Sequence, residues 1–194
     1  ARNGTLTDFL KNHTISPVQF RTIVTDITQA LQALHENQIL HLDLKPSNIL
    51  IRSVSPLNVI LTDFGISTLL SVDLSRQITA TKGTPKYWAP EQLGNVVGKE
   101  ADYWALGVIC LEIIQNCHPF EGMNHNMVLS TLSTQGIAVP ADINPKVAHL
   151  LKGLLTRNPK KRWGYPEVTD WLSGRENIPV YYEGESHHLP ETTT

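Results

Sequence analysis

The chain has almost no surplus charge: sixteen Lys and Arg oppose eighteen Asp and Glu among 194 residues, a net of −2 with histidine neutral. A broad electrostatic attraction to nucleic acid or anionic lipid is thereby excluded, and neither is expected as a partner. Long apolar runs are also missing. The longest, Trp104 to Leu111, falls far short of the ~20 residues that span a bilayer, and no signal-peptide pattern is visible, so a cytoplasmic location is expected. Cysteine is scarce. Cys110 and Cys117 lie seven apart in a helical pattern, which separates them by about 10 Å along the axis, beyond the ~7 Å that a disulfide tolerates between Cα atoms. Both are expected to be small buried apolar side chains in a reducing compartment.

What the chain does have is helical periodicity. With 41% hydrophobic residues it can form one domain that buries roughly 70% of its unfolded surface. A short helix is expected around Leu6 to Leu10. Ser16-Pro17-Val18-Gln19 combines an N-cap serine, a first-turn proline and a capping-box glutamine. The apolar stripe Phe20, Ile23, Val24, Ile27, Leu31 and Leu34 follows to about Asn37. Ile49-Leu50-Ile51 and Val59-Ile60-Leu61 read as a small β-hairpin around a polar turn, with Asn48 at one end and Asp63 at the other. From Gly65 to Thr84 no apolar period is sustained, which predicts a long loop. Lys99 to Gln115 reads as a helix buried nearly all round, Ile114 included. A helix led by Asn144-Pro145 should run to Leu155, and another from Pro166 to Gly174. Beyond Arg175 the periodicity fades, and an extended or disordered tail over 175–194 is expected to follow a domain over 1–174.

Chemistry is concentrated in His41-Leu42-Asp43-Leu44-Lys45-Pro46-Ser47-Asn48, followed fifteen positions later by Asp63-Phe64-Gly65. This spacing resembles the H-x-D-L-x-x-x-N and D-F-G segments of protein kinases. The resemblance implies a mainly α fold, the C-terminal or large lobe of a protein kinase, with a helical bundle and a small hairpin that carries the catalytic and metal-binding loops. It implies ATP and Mg²⁺ as cofactors and a protein hydroxyl as the phosphate acceptor. By the same resemblance Asp43 is the base that orients that hydroxyl, and Lys45 holds the γ-phosphate, a role that in this family goes with Ser/Thr specificity. Asn48 and Asp63 supply hard oxygen ligands to Mg²⁺, and Leu50 floors the adenine. His41, Phe64 and Gly65 are implied to support the site.

Three further blocks follow in the family's order. Gly83-Thr84-Pro85-Lys86-Tyr87-Trp88-Ala89-Pro90-Glu91 resembles G-T-x-x-Y-x-A-P-E, which closes the activation loop and docks substrate through residues such as Thr84, Tyr87 and Glu91. Asp102-Tyr103-Trp104-Ala105-Leu106-Gly107 resembles the start of the central helix, whose aspartate fixes the catalytic-loop backbone. Arg162 resembles the arginine that pairs with the glutamate at Glu91. Glu112 matches an acidic position that some basophilic kinases use for a substrate arginine, although Ser47 stands where several of them carry a second acid. Small-molecule phosphotransferases share a His-x-Asp-x-x-x-x-Asn loop but lack the Lys45, Asp-Phe-Gly and Ala-Pro-Glu context. A pseudokinase or docking module is the alternative from another class, and such proteins usually lose the base or a metal ligand.

Two departures carry expectations of their own. Leu42 stands where most kinases have an arginine that pairs with an activation-loop phosphate. Loop ordering is therefore expected to depend less on phosphorylation of Ser71, Ser75, Thr79 or Thr81. Nothing before Thr5 resembles the Gly-rich phosphate loop, the strand lysine, its glutamate partner or the hinge that binds adenine. The chain is expected to be a piece of something longer whose missing partner is the N-terminal lobe, and to be inactive alone.

Overall fold

The computed structural model describes residues 3–63, 68–69, 85–94 and 97–183, the pair 68–69 as backbone only. The first elements follow the local signals. Helix α1 (Leu6–Asn12) is capped by Thr5, which exchanges hydrogen bonds with Asp8, and helix α2 (Pro17–Glu36) by Ser16, which does the same with Gln19. Each reciprocal pair satisfies two backbone donors that a helix start leaves open. The apolar stripe of α2 is buried through Phe20, Ile23, Val24, Ile27 and Leu31.

Strand β1 (Ile39–Leu40) leads into the motif segment, where Pro46–Asn48 forms one turn of 3₁₀ helix. The hairpin of β2 (Ile49–Val54) and β3 (Leu57–Leu61) then pairs antiparallel, Ile49 opposite Leu61 and Ile51 opposite Val59, with an irregularity between Ile51 and Ser53. Asp26 of α2 ties it down. One carboxylate oxygen accepts from Asn58 Nδ2 and from the Val59 backbone N–H, both at 2.9 Å. The expected loop over 65–84 is interrupted by a short strand, β4 (Thr68–Leu69), which pairs antiparallel with β1. Two residues are too few for a period, so composition alone reads the segment as loop.

Helix α3 (Glu100–Gln115) is the pillar. Every residue from Ala101 to Leu111 is buried, along with Ile113, so it has no polar face. Complete burial of each large aliphatic side chain contributes about 1.5–3 kcal/mol. Two of the sequence expectations fail at its end. Ile114 is 38% exposed, and Cys117 is exposed while Cys110 is buried; both thiols are free. Ile114 sits in the last turn of the helix, beside exposed Gln115, and Cys117 follows Asn116, whose φ of +53° ends the helix and turns the chain away.

Helix α4 (His125–Thr134) was not legible in the periodicity, since it buries only Val128 and Leu132 and leaves Met127 half exposed. Helices α5 (Pro145–Leu154) and α6 (Tyr165–Ser173) close the bundle. Close approach is bought by two glycines: a Cβ at Gly107 of α3 would stand 2.9 Å from Leu154, and one at Gly153 only 2.1 Å from the Trp163 ring. Core packing continues past Gly174. Ile178 is buried, Trp163 Nε1 donates to Pro179 O at 2.8 Å, and the Tyr182 hydroxyl donates to Ile137 O at 2.6 Å while accepting from Val139 N. Among the described residues no helix is long and apolar enough to cross a membrane.

Candidate active site

The hairpin brings the two halves of the motif together. With Ile49 opposite Leu61, the next step of the ladder sets Asn48 against Thr62, whose N–H donates to Asn48 O at 2.9 Å. Asp63 follows directly and is exposed, with φ of +61°. His41, fully buried, braces the two segments. Its Nδ1 accepts from Asp43 N at 3.3 Å, which leaves the proton on Nε2 to reach Thr62 O at 3.2 Å.

Asp43 is buried apart from 8% of its surface, and its Oδ2 accepts two bonds, from Lys45 Nζ at 2.8 Å and from Asn48 Nδ2 at 3.0 Å. The Asn48 amide also donates to Asp43 O at 2.8 Å. Those bonds consume the nitrogen of Asn48 and leave Oδ1 as the oxygen available to a cation. A carboxylate, a cation and two hard oxygen donors thus stand on one loop and the adjoining strand end. Mg²⁺ is commonly held by one or two carboxylate or amide oxygens plus substrate phosphates, and the pair Asn48 and Asp63 fits that pattern. A closed metal centre does not: among the described residues no three His, Cys, Asp or Glu side chains are grouped to hold an ion.

Beneath this loop lies Asp102 of α3, 1% exposed. Its Oδ1 accepts from Leu42 N at 2.8 Å, and its Oδ2 from His41 N at 3.0 Å and His35 Nε2 at 2.8 Å. Leu42 itself is buried, with φ of +61°, a backbone state that costs a non-glycine residue about 1–3 kcal/mol unless its surroundings hold it. The Asp102 carboxylate supplies that hold. His35 was missed in the sequence; the available signal was a polar residue next to the apolar stripe, four past Leu31.

Glu91 and Arg162 meet as the resemblance implies. Arg162, 6% exposed, bonds Glu91 through both terminal nitrogens, Nη1 to Oε1 at 2.5 Å and Nη2 to Oε2 at 2.9 Å. Tyr87, on the 3₁₀ turn Pro85–Tyr87, donates its hydroxyl to Glu112 Oε2 at 2.7 Å. Burial, followed by the Glu112 charge, raises the phenol pKa far above its usual range, so the proton stays on Tyr87. Burial also raises the Glu112 carboxyl, against the hydrogen bond from Tyr87 and the charge of Lys86. His118 packs edge-on to Tyr87, ring centroids 4.9 Å apart, and burial with nearby Lys86 lowers its pKa to about 4. It is therefore a neutral wall of this cluster, unforeseen in the sequence. Leu50, on β2, is half-buried and pairs across an isolated bridge with Thr5. Phe64, Gly65 and Thr84 lie outside the described residues.

Residues 1–171 match the family described as protein kinase domain. The chain is 38% identical over 142 residues to the serine/threonine-protein kinase gad8 of Schizosaccharomyces pombe, covering 73% of this chain and 24% of that protein. It is 32% identical over 185 residues to shk1/pak1 of the same organism, covering 92% and 27%, and 33% identical over 155 residues to a probable serine/threonine-protein kinase of Dictyostelium discoideum, covering 79% and 33%. It thus spans about a quarter to a third of the length of these relatives. With a family match across most of its length and a catalytic-loop motif assembled on a buried aspartate, the chain belongs to the protein kinase domain family.

Proposed function

We propose that the chain is the large, catalytic lobe of an ATP-dependent protein serine/threonine kinase, with a non-arginine residue, Leu42, before the catalytic aspartate. The observation that carries this reading is the shared acceptance by Asp43 Oδ2 of Lys45 and Asn48, because it fixes the carboxylate while leaving Asn48 Oδ1 to a metal. Asp43 orients the acceptor hydroxyl and takes its proton. Lys45 carries the charge that meets the γ-phosphate, and Leu50 presents an apolar surface to the adenine. Asn48 and Asp63 would hold Mg²⁺, which when bound bridges phosphate oxygens and neutralises their charge. Phosphoryl transfer needs little covalent chemistry from the protein, so rigid positioning of this kind is what the reaction requires. His41 and Asp102 support the loop from below, Arg162 holds Glu91 of the 85–94 segment, and Phe64 and Gly65 are assigned a supporting role by the family resemblance alone. Thr84, Tyr87, Glu91 and Glu112 form the substrate side. The docking alternative is disfavoured by the presence of Asp43, Lys45, Asn48 and Asp63 together.

The groups that roof the nucleotide in this family have no counterpart among the 194 residues, and tight nucleotide binding is proposed to need them. Calorimetric titration of this chain with Mg-ATP should give an affinity well below the micromolar level, which corresponds to about −8.2 kcal/mol. A micromolar dissociation constant would overturn that part of the reading.

Leu42 is proposed to shift regulation away from a loop phosphate. In the complete kinase, replacing Ser71, Ser75, Thr79 and Thr81 together by alanine should preserve most of the activity. Loss of activity with the fold intact, followed by circular dichroism, would show that a phosphate is needed after all. These four residues lie outside the described ones.

A further inference from the structure

Where α2, α5 and α6 meet, a cavity of about 280 Å³ is lined by none of the residues of the catalytic loop, the hairpin or the 85–94 segment. The indole of Trp171, only 8% exposed, forms one wall, and its Nε1–H is fixed to Lys146 O at 2.8 Å. The Arg21 guanidinium lies over the same ring, 5.6 Å from its centroid, and is anchored by one bond from Nη2 to Leu172 O at 2.6 Å. Among the described residues no carboxylate takes its remaining N–H groups. Lys146, in the first turn of α5, has no carboxylate partner among the described residues, and the positive end of that helix adds to its charge. Arg175 also lines the cavity, its charge shared with Asp170 at 2.6 Å, and Glu176 is the one acidic lining residue. His149 also lines the cavity, its ring edge-on to Trp163 with centroids 5.0 Å apart and its Nε2 closed off from the surface.

Each feature narrows the occupant. The volume lies at the lower edge of the range for ligand pockets, ~300–1,000 Å³, and admits a body of about one or two rings. A flat indole with a fixed guanidinium beside it favours a planar apolar group. A cation held by a backbone acceptor rather than by a carboxylate, as Arg21 is, retains attraction for an anion. We propose that this cavity binds a small aryl anion, a ring against Trp171 with one phosphate or carboxylate group among Arg21, Lys146 and Arg175. This proposal is independent of the kinase reading and survives its failure.

The test follows the Trp171 indole N–H resonance of the chain during titration with phenyl phosphate and benzoate, and separately with inorganic phosphate and benzyl alcohol. Phenyl phosphate and benzoate should shift it saturably, with affinities about tenfold or more above those of the two half-ligands. The double variant Lys146→Gln with Arg175→Gln alters only exposed side chains and should keep its melting temperature. It should weaken the aryl anions about two- to fivefold for each charge removed and leave benzyl alcohol unaffected. Absence of a saturable shift, equal affinity for benzyl alcohol or for inorganic phosphate, or undiminished aryl-anion binding by the double variant would each overturn the proposal.

Discussion

Replacing Arg162 with alanine should destabilise the chain by about 3–5 kcal/mol, the cost of breaking a buried ion pair and leaving its partner behind. All five guanidinium N–H groups are in use. Nε donates to Thr156 O at 2.8 Å, Nη1 to Glu91 Oε1 and to Glu100 O at 2.9 Å, and Nη2 to Glu91 Oε2 and to Arg157 O at 3.0 Å. The guanidinium also lies 5.0 Å from the Trp104 ring centroid. Truncation therefore strands a carboxylate and three carbonyls in one place, while removing a cation from an aromatic face. Lysine cannot repair this, because its point charge lacks the planar fork that meets both Glu91 oxygens. For a domain of this size the expected loss lowers the melting temperature by roughly 6–20 °C. Equilibrium unfolding in urea measures it directly, and a change below ~1 kcal/mol would show that the pair merely decorates the junction between the 85–94 segment and the helical core.

The largest effect on activity is expected at Asp43. Asparagine is close to isosteric there, yet it loses the charge that Lys45 and Asn48 Nδ2 both address and cannot accept a proton from a hydroxyl. In the complete kinase, Asp43→Asn should lower kcat for phosphate transfer by about 10²–10⁴, the usual contribution of a positioned general base with its orienting role. KM for ATP should change little, because in this reading Asp43 does not ligate the metal. The check is steady-state kinetics at saturating ATP, with circular dichroism to establish that the fold is retained. A kcat within about tenfold of wild type would remove Asp43 from the role of base.

How much of this was legible depended on whether a signal was local. The caps at Ser16 and Asn144 and the hairpin strands are written in a few consecutive residues, and the structure places each as read. The pairing of Glu91 with Arg162 joins residues 71 apart and was accessible only through family resemblance. Asp26 on the hairpin and His118 beside Tyr87 are tertiary partners with no local motif, and His35 beneath Asp102 is marked only by its place beside the apolar stripe, which names no partner. Cys117 was misplaced because helical spacing was extended one turn too far, past an asparagine that adopts a left-handed backbone. Helix α4 and strand β4 escaped for a related reason: two buried residues, or two paired ones, make too short a period to rise above composition.

The central claim is that Asp43, Lys45, Asn48 and Asp63 are half of a working phosphotransfer site. Its most direct measurement is transfer of labelled γ-phosphate from Mg-ATP by the full-length protein that carries this chain, with phosphoamino-acid analysis of a protein acceptor. Wild type should yield phosphoserine or phosphothreonine in a Mg²⁺-dependent reaction, and Asp43→Asn should yield almost none. A folded full-length protein that transfers no phosphate to any protein acceptor, or one whose transfer is indifferent to Asp43, would contradict the account.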